Sequence, residues 1–150
     1  MSDPRAAFEQ RVLELAADDR IETPTLVMSR DVIEDRIAQV GQGIDGVGVY
    51  YAAKANDDPG VLRVAAGTGI GFEVASQGEM LKLEAASVTP DRMITSNPVK
   101  RVEFIAYAWE YGIRMFAFDS MAEVDKLVEH APGCEAILRI AVENDNAEWP

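Results

Sequence analysis

The chain has one cysteine, Cys134, and one histidine, His130, among its 150 residues. A single thiol excludes an intramolecular disulfide, and one thiol with one imidazole does not make a Cys/His zinc cluster, so no metal is expected. Basic residues are also scarce: 14 lysines and arginines face 26 acids, giving a net charge of −12. Without a basic stripe to neutralise phosphates, nucleic acid and anionic membrane are not expected partners. No apolar run approaches bilayer-spanning length, and Met1-Ser2-Asp3-Pro4-Arg5 lacks the apolar core of a signal peptide, so a cytoplasmic location is expected. Low-complexity stretches are missing too. What is present, 48% apolar and 27% charged residues, is the composition of a globular protein, and the length suits one domain better than two.

Apolar periodicity alternates between two kinds along the chain. Phe8, Val12 and Leu15 make a helical stripe within residues 4–18, and after a short extended piece from Thr23 to Met28 a second stripe runs through Ile33, Ile37 and Val40. The run Val47 to Ala53 has strand character, and Asp58-Pro59 opens a helix that ends at Gly67. Residues 70–75 form a strand followed by Ser76-Gln77-Gly78-Glu79, a capping-box pattern leading a helix towards Ala86. Residues 92–95 form the next strand. Asn97-Pro98 is read as the cap of a helix whose buried stripe is Val102, Ile105, Ala106 and Trp109. Residues 115–118 are a strand, and Ser120 with Glu123 offers a second capping box for a helix burying Met121, Val124, Leu127 and Val128. The last strand is residues 135–142.

Five strands alternating with helices, at roughly 20 to 24 residues per unit, imply βαβ units, a parallel sheet and right-handed crossovers. A doubly wound sheet and a (β/α)8 barrel share that rhythm. No Gly-x-Gly-x-x-Gly follows the first strand, and Gly67-Thr68-Gly69-Ile70-Gly71 precedes a strand where a phosphate loop would open a helix. A barrel is therefore expected. Five strands do not close one, and a complete barrel takes about 250 residues, so these residues are read as the first part of a larger architecture.

Lys54 closes the first strand. An amine carried into a dry core costs several kcal/mol unless it is paired, neutralised or covalently engaged, and an amine so engaged suits Schiff-base chemistry with a carbonyl cofactor. On position alone, a lysine snorkelling into solvent is the commoner outcome. Glu73 lies in the second strand, near its end, where a solvated carboxylate is the plain alternative to a functional one. Glu79 is fully explained as the capping partner of Ser76. Arg139, inside an otherwise apolar strand, has to find a partner or line a cavity.

Tyr51-Ala52-Ala53-Lys54-Ala55-Asn56 resembles the Tyr-Ala-x-Lys-x-Asn signature of the fold type III pyridoxal-phosphate decarboxylases, whose barrels are alanine-racemase-like. Gly71-Phe72-Glu73-Val74-Ala75-Ser76 is similar to the family's Gly-Phe-Asp-x-Ala-Ser strand, with Glu79 at its glutamate. Ser96-Asn97-Pro98-Val99-Lys100, Phe118-Asp119-Ser120 and Leu138-Arg139-Ile140 resemble its next three motifs, in order. The resemblance covers residues 24–143 and leans towards ornithine/lysine decarboxylases.

What the resemblance implies is an α/β fold, the N-terminal part of a (β/α)8 TIM barrel with about five parallel strands. Residues 1–45 would form N-terminal helices and a short extended segment, and 46–150 the first five barrel strands; the remaining strands and most of a C-terminal β-domain are expected outside these residues. Lys54 would hold pyridoxal 5'-phosphate as a Schiff base. Glu73 would stand close to that lysine and the cofactor ring, as a glutamate where the family usually has aspartate; Arg139 would lie beside the ring, and Ala52 would contact the cofactor. The activity implied is decarboxylation of a basic amino acid by a homodimer or by a complex with a polypeptide carrying the C-terminal half. Diaminopimelate decarboxylase, an amino-acid racemase of the same fold, and a non-catalytic decarboxylase-like binding protein are the alternatives.

Overall fold

The computed structural model describes residues 3–17, 21–22, 24–43 and 45–142. Two helices, α1 (Pro4–Ala17) and α2 (Arg30–Gly43), precede an alternating series: β1 (Tyr50–Ala52), α3 (Pro59–Gly67), β2 (Gly71–Glu73), α4 (Gln77–Ala85), β3 (Met93–Thr95), α5 (Val102–Tyr111), β4 (Met115–Phe118), α6 (Met121–His130) and β5 (Glu135–Leu138). The five strands form one sheet in sequence order, β1-β2-β3-β4-β5, with every neighbouring pair parallel. This is the expected (β/α) order, and it places the C-terminal end of every strand on one edge. No helix among the described residues is long and apolar enough to cross a membrane.

Strand alternation divides the sheet into two faces. The register pairs Tyr51 with Phe72, Phe72 with Met93 and Thr95 with Phe116, and this row packs under the helices. Phe72, Met93 and Phe116 are buried there with Leu62 and Ala65 of α3, Met80 and Leu83 of α4, and Ile105 and Ala108 of α5. The opposite row, Ala52, Glu73, Ile94, Met115 and Ile137, lies on the face that the concave side of a barrel would present.

Local chemistry fixes the helix ends. Asp58 Oδ1 accepts from the Gly60 and Val61 amides at 2.7 and 3.3 Å, with Pro59 at the first helical position, as the sequence implies. Ser76 Oγ accepts from the Glu79 amide at 3.3 Å, while Glu79 Oε2 accepts from the Ala75 amide at 2.8 Å. That is the expected capping box with its return bond displaced by one residue. Gly112 ends α5 at φ +116°, and a Cβ there would also meet Pro90 Cβ at 3.1 Å, so two constraints ask for glycine.

Several expectations fail where a distant partner outcompetes the local one. Asn97-Pro98 does not cap α5, which starts at Val102 behind Arg101; the Asn97 amide instead donates to Val99 O at 3.0 Å. Val102, Val40, Met121 and Val128 are exposed, and α5 and α6 bury Ile105 with Ala108, and Glu123 with Leu127. Strand β5 ends at Leu138, with all four of its residues exposed. The Thr23 position of the early extended piece, and residues 143–150, lie outside the described residues.

Glu123 is the largest departure. Ser120 makes no side-chain cap, and Glu123 turns inward to Lys100, whose side chain is fully buried. Lys100 Nζ lies 3.1 Å from Glu123 Oε2 and donates to the carbonyls of Asn97 and Pro98 at 3.2 Å each and of Ala117 at 2.5 Å. Lys126 pairs with the other Glu123 oxygen and donates to Lys100 O at 2.6 Å. The network ties the loop after β3 to the end of β4 and to α6. Burial opposes ionisation of Glu123, but the hydrogen bonds from Lys126 and Lys100 outweigh it and hold the carboxyl below its ordinary value of 4.5.

A carboxyl lowered in the folded state contributes stability that is complete above the unfolded value and is lost as pH falls through the folded one. Glu123→Gln is therefore expected to cost about 3–5 kcal/mol at neutral pH by leaving two lysines without their counter-charge. In urea unfolding from pH 7 downward, the gap between the wild type and this variant should stay constant to about pH 4.5 and close below it.

Candidate active site

The site is assembled at the C-terminal edge of the sheet, beginning with β1 and β2. Their ladder pairs Ala52 with Glu73, so the last residue of one strand stands beside the last residue of the next. Beyond Ala52 the chain makes a single 3-10 turn, Ala53–Ala55, which carries Lys54. The Lys54 amine lies 3.6 Å from Glu73 Oε2.

The two partners differ in environment. The Lys54 side chain is 61% exposed, whereas that of Glu73 is 6% exposed. Of the two placements the sequence leaves open for the amine, in a dry core or snorkelling into solvent, the structure shows the second, because the 3-10 turn swings the lysine out of the strand. Burial falls on the carboxylate. Glu73 Oε1 is buried and has no hydrogen-bond partner among the described residues, and the Lys54 contact to Oε2 is longer than a hydrogen bond.

The other expected site residues share this edge. Ala52 lies on the same face as Glu73, and its methyl leaves that end of β1 open. Arg139 does not lie inside a strand: it follows β5 directly, exposed, with its backbone amide donating to Phe118 O at 2.8 Å. That bond continues the β4–β5 ladder by one step. Since Ile137 pairs with Ala117, alternation puts Arg139 on the row that contains Glu73. The structure thus brings Lys54 and Glu73 into contact and sets Ala52 beside them. Arg139 stands on the same edge three strands away from Glu73.

Next to Glu73, the loops after β2 and β3 enclose a groove of about 480 Å³ lined by Ala75, Ser76, Gln77, Asn97, Lys100 and Phe104. The Lys100–Glu123–Lys126 network forms its support. The local sequence pattern does not reveal that network: Ser120 with Glu123 reads as a capping box, and the one sequence signal is Lys100 in the Asn-Pro-x-Lys motif.

Residues 30–150 match the family described as pyridoxal-dependent decarboxylase, pyridoxal binding domain. The chain belongs to the pyridoxal-dependent decarboxylase family. It is 41% identical over 128 residues to a lysine/ornithine decarboxylase of Selenomonas ruminantium, covering 85% of this chain and 33% of that protein. It is 35% identical over 98 residues to antizyme inhibitor 2 of Homo sapiens, covering 65% of this chain and 21% of that protein. The crystal structure of SrLDC in complex with PLP and cadaverine superposes with a TM-score of 0.81 at 40% identity, covering 95% of this chain and 37% of that one. The chain spans about a third of the length of the lysine/ornithine decarboxylase it matches.

The residues present fit pyridoxal phosphate. A carbonyl cofactor needs a primary amine it can reach, and Lys54 is exposed at the strand ends. Beside it, the buried Glu73 carboxylate supplies a negative charge for a cationic nitrogen, with Oε1 unpartnered among the described residues.

Glu73 carries a cost that this function would explain. Replacing a poorly paired buried charge by an apolar residue of similar volume is often neutral or stabilising, here by up to about 1–4 kcal/mol. Glu73→Leu is expected to raise the urea midpoint of the cofactor-free protein, while its capacity to hold pyridoxal phosphate falls.

Proposed function

We propose that this chain is the cofactor-bearing part of an enzyme that decarboxylates a basic amino acid of the ornithine or lysine type, with Lys54 as the attachment point of pyridoxal phosphate. The observation that carries this reading is the Lys54 amine, open to solvent, 3.6 Å from the buried Glu73 carboxylate at the ends of β1 and β2. Active sites of (β/α)8 barrels lie at that end of the strands.

When bound, pyridoxal phosphate supplies an electron sink that lets an α-carboxylate leave as CO2. The remaining work falls to the chain's own side chains. Lys54 Nζ, when neutral, is the nucleophile towards the cofactor's carbonyl; once freed by an incoming substrate amine, it takes up and returns a proton. Glu73 opposes positive charge on its neighbours with a fixed negative one, stabilising a protonated nitrogen within its reach. Its burial and its place in the ladder keep that charge from moving away. Arg139 is assigned a position beside the cofactor ring, supported by its place on the Glu73 row. Ala52 is assigned a cofactor contact because a methyl at the end of β1 leaves space for a flat ring.

This reading places the phosphate cradle and the pocket for the substrate's side chain on further polypeptide, in the same chain or in a partner, with a second copy of this protein as the expected partner. The similarity to antizyme inhibitor 2 favours a second reading, a decarboxylase-like binding protein without catalysis.

Incubating the purified protein with pyridoxal phosphate, reducing with borohydride and mapping the labelled peptide separates the two. One dominant adduct at Lys54 is expected, absent in Lys54→Ala. In Glu73→Gln its yield at limiting cofactor should fall by about tenfold or more, the loss of one charge-assisted contact. Label spread over surface lysines with no preference for Lys54 would favour the binding-protein reading.

A further inference from the structure

The turn that carries Lys54 is held at its start by Ala53, which is fully buried in the core, but its second half is less well tied down. The turn is three residues long, begins after Ala52 with no side-chain cap, and exposes both Lys54 and Ala55. So short a 3-10 segment does not fix its own direction. Among the described residues, two contacts from outside reach the stretch that joins it to α3. One is the ion pair of Asp57 with Lys82, half-exposed on both sides and so weakened by solvent. The other is a hydrogen bond from the Tyr51 hydroxyl to Asn56 O at 3.1 Å.

Tyr51 is well placed to act as an anchor. It pairs with Phe72 across the β1–β2 ladder, and the two rings meet edge to face at 6.2 Å and 79°. Phe72 is fully buried in the core. On the far side, Asn56 Oδ1 accepts from the Asp58 amide at 3.1 Å, and Asp58 caps α3. The bond from Tyr51 therefore spans the Lys54 turn from the rigid strand before it to the rigid helix after it. Burial, more than any neighbour, pushes the Tyr51 phenol above its ordinary range, so it stays protonated and able to donate at neutral pH.

We propose that the Tyr51 hydroxyl is a latch for the Lys54 turn, a positioning residue that holds the lysine's backbone where its amine reaches Glu73. The inference rests on Lys54 being the attachment lysine for the part that concerns reaction with pyridoxal phosphate. The hydroxyl touches neither Lys54 nor Glu73. Its effect is geometric: a displacement of the turn by about 1 Å is enough to spoil a near-attack arrangement.

Tyr51→Phe keeps the ring and its contact with Phe72 and removes only the donor. Two readouts test the latch. The first is amide hydrogen exchange from Ala55 to Asp58, with the Gly71–Glu73 strand as internal reference; the second is the initial rate at which borohydride-fixed pyridoxal phosphate accumulates on Lys54 at limiting cofactor. Loss of one hydrogen bond should speed exchange in the turn by about fivefold or more while the reference strand is unchanged. The labelling rate should fall by a similar factor with the final urea midpoint little moved. Unchanged exchange in the turn overturns the latch, and so does faster exchange with an unchanged labelling rate. If the wild type takes no label at Lys54, the functional reading falls with the labelling arm, and exchange alone decides whether the hydroxyl holds the turn.

Discussion

The register of the β1–β2 ladder sets Ala52 against Glu73, and the site follows from that one pairing. A parallel ladder fixes which strand ends coincide, and a crossover helix returns each new strand in the same direction, so chemistry carried on strand ends collects at one edge. Slipping β2 by one residue would exchange Glu73 with Phe72 or Val74, placing a carboxylate under the helices and an aromatic or branched side chain beside Lys54. The burial of Phe72 and Val74 beneath α3 and α4 is what forbids the slip. The hydrophobic core thus determines where the Lys54–Glu73 pair lies.

Two buried carboxylates show how differently the fold treats structural and reactive charge. Glu123 has a lysine on each oxygen and a backbone amide besides, and its network joins the loop after β3, the end of β4 and α6. Glu73 has one exposed lysine, too distant for a hydrogen bond, and a second oxygen with no partner. Both are glutamates at similar depth. Each carboxylate keeps one oxygen without a hydrogen bond among the described residues, so what separates them is the charge around them: two lysines at Glu123, one exposed lysine at Glu73.

Much of this was legible in the sequence where the deciding interaction is local. Asp58-Pro59 and Ser76 to Glu79 announce helix starts because cap and amide lie within three residues of each other, and both hold. The order of elements and the parallel sheet follow from the same alternation of periods. The motif order pointed to Lys54, Glu73 and Arg139, and the first two meet in space. What failed depends on distance in sequence. Glu123 looks like a capping partner for Ser120 until Lys100, 23 residues earlier, takes its carboxylate. Asn97 looks like a cap until the loop it occupies is pulled towards β4 by that same lysine. Met121, Val128 and the residues of β5 have apolar character but lie exposed, since amphipathic spacing records which residues avoid water without naming the surface that covers them.

At Lys54 the structure changes the physical reading of a candidate site residue. The sequence leaves two placements open, an amine in or beside a dry core that must be paired or covalently engaged, and one snorkelling into solvent. The structure shows the second: the carboxylate is desolvated and the amine is exposed. That arrangement suits attachment of a cofactor better than the first. A buried amine would be unreachable to a bulky, phosphorylated aldehyde, while a solvated amine on a loose turn would be reachable but undirected. A fixed negative charge at the strand end, with the turn held between Tyr51 and Asp58, gives the amine both access and direction. If Lys54 is the attachment point proposed above, the buried Glu73 carboxylate is the part of that site fixed in advance by the fold.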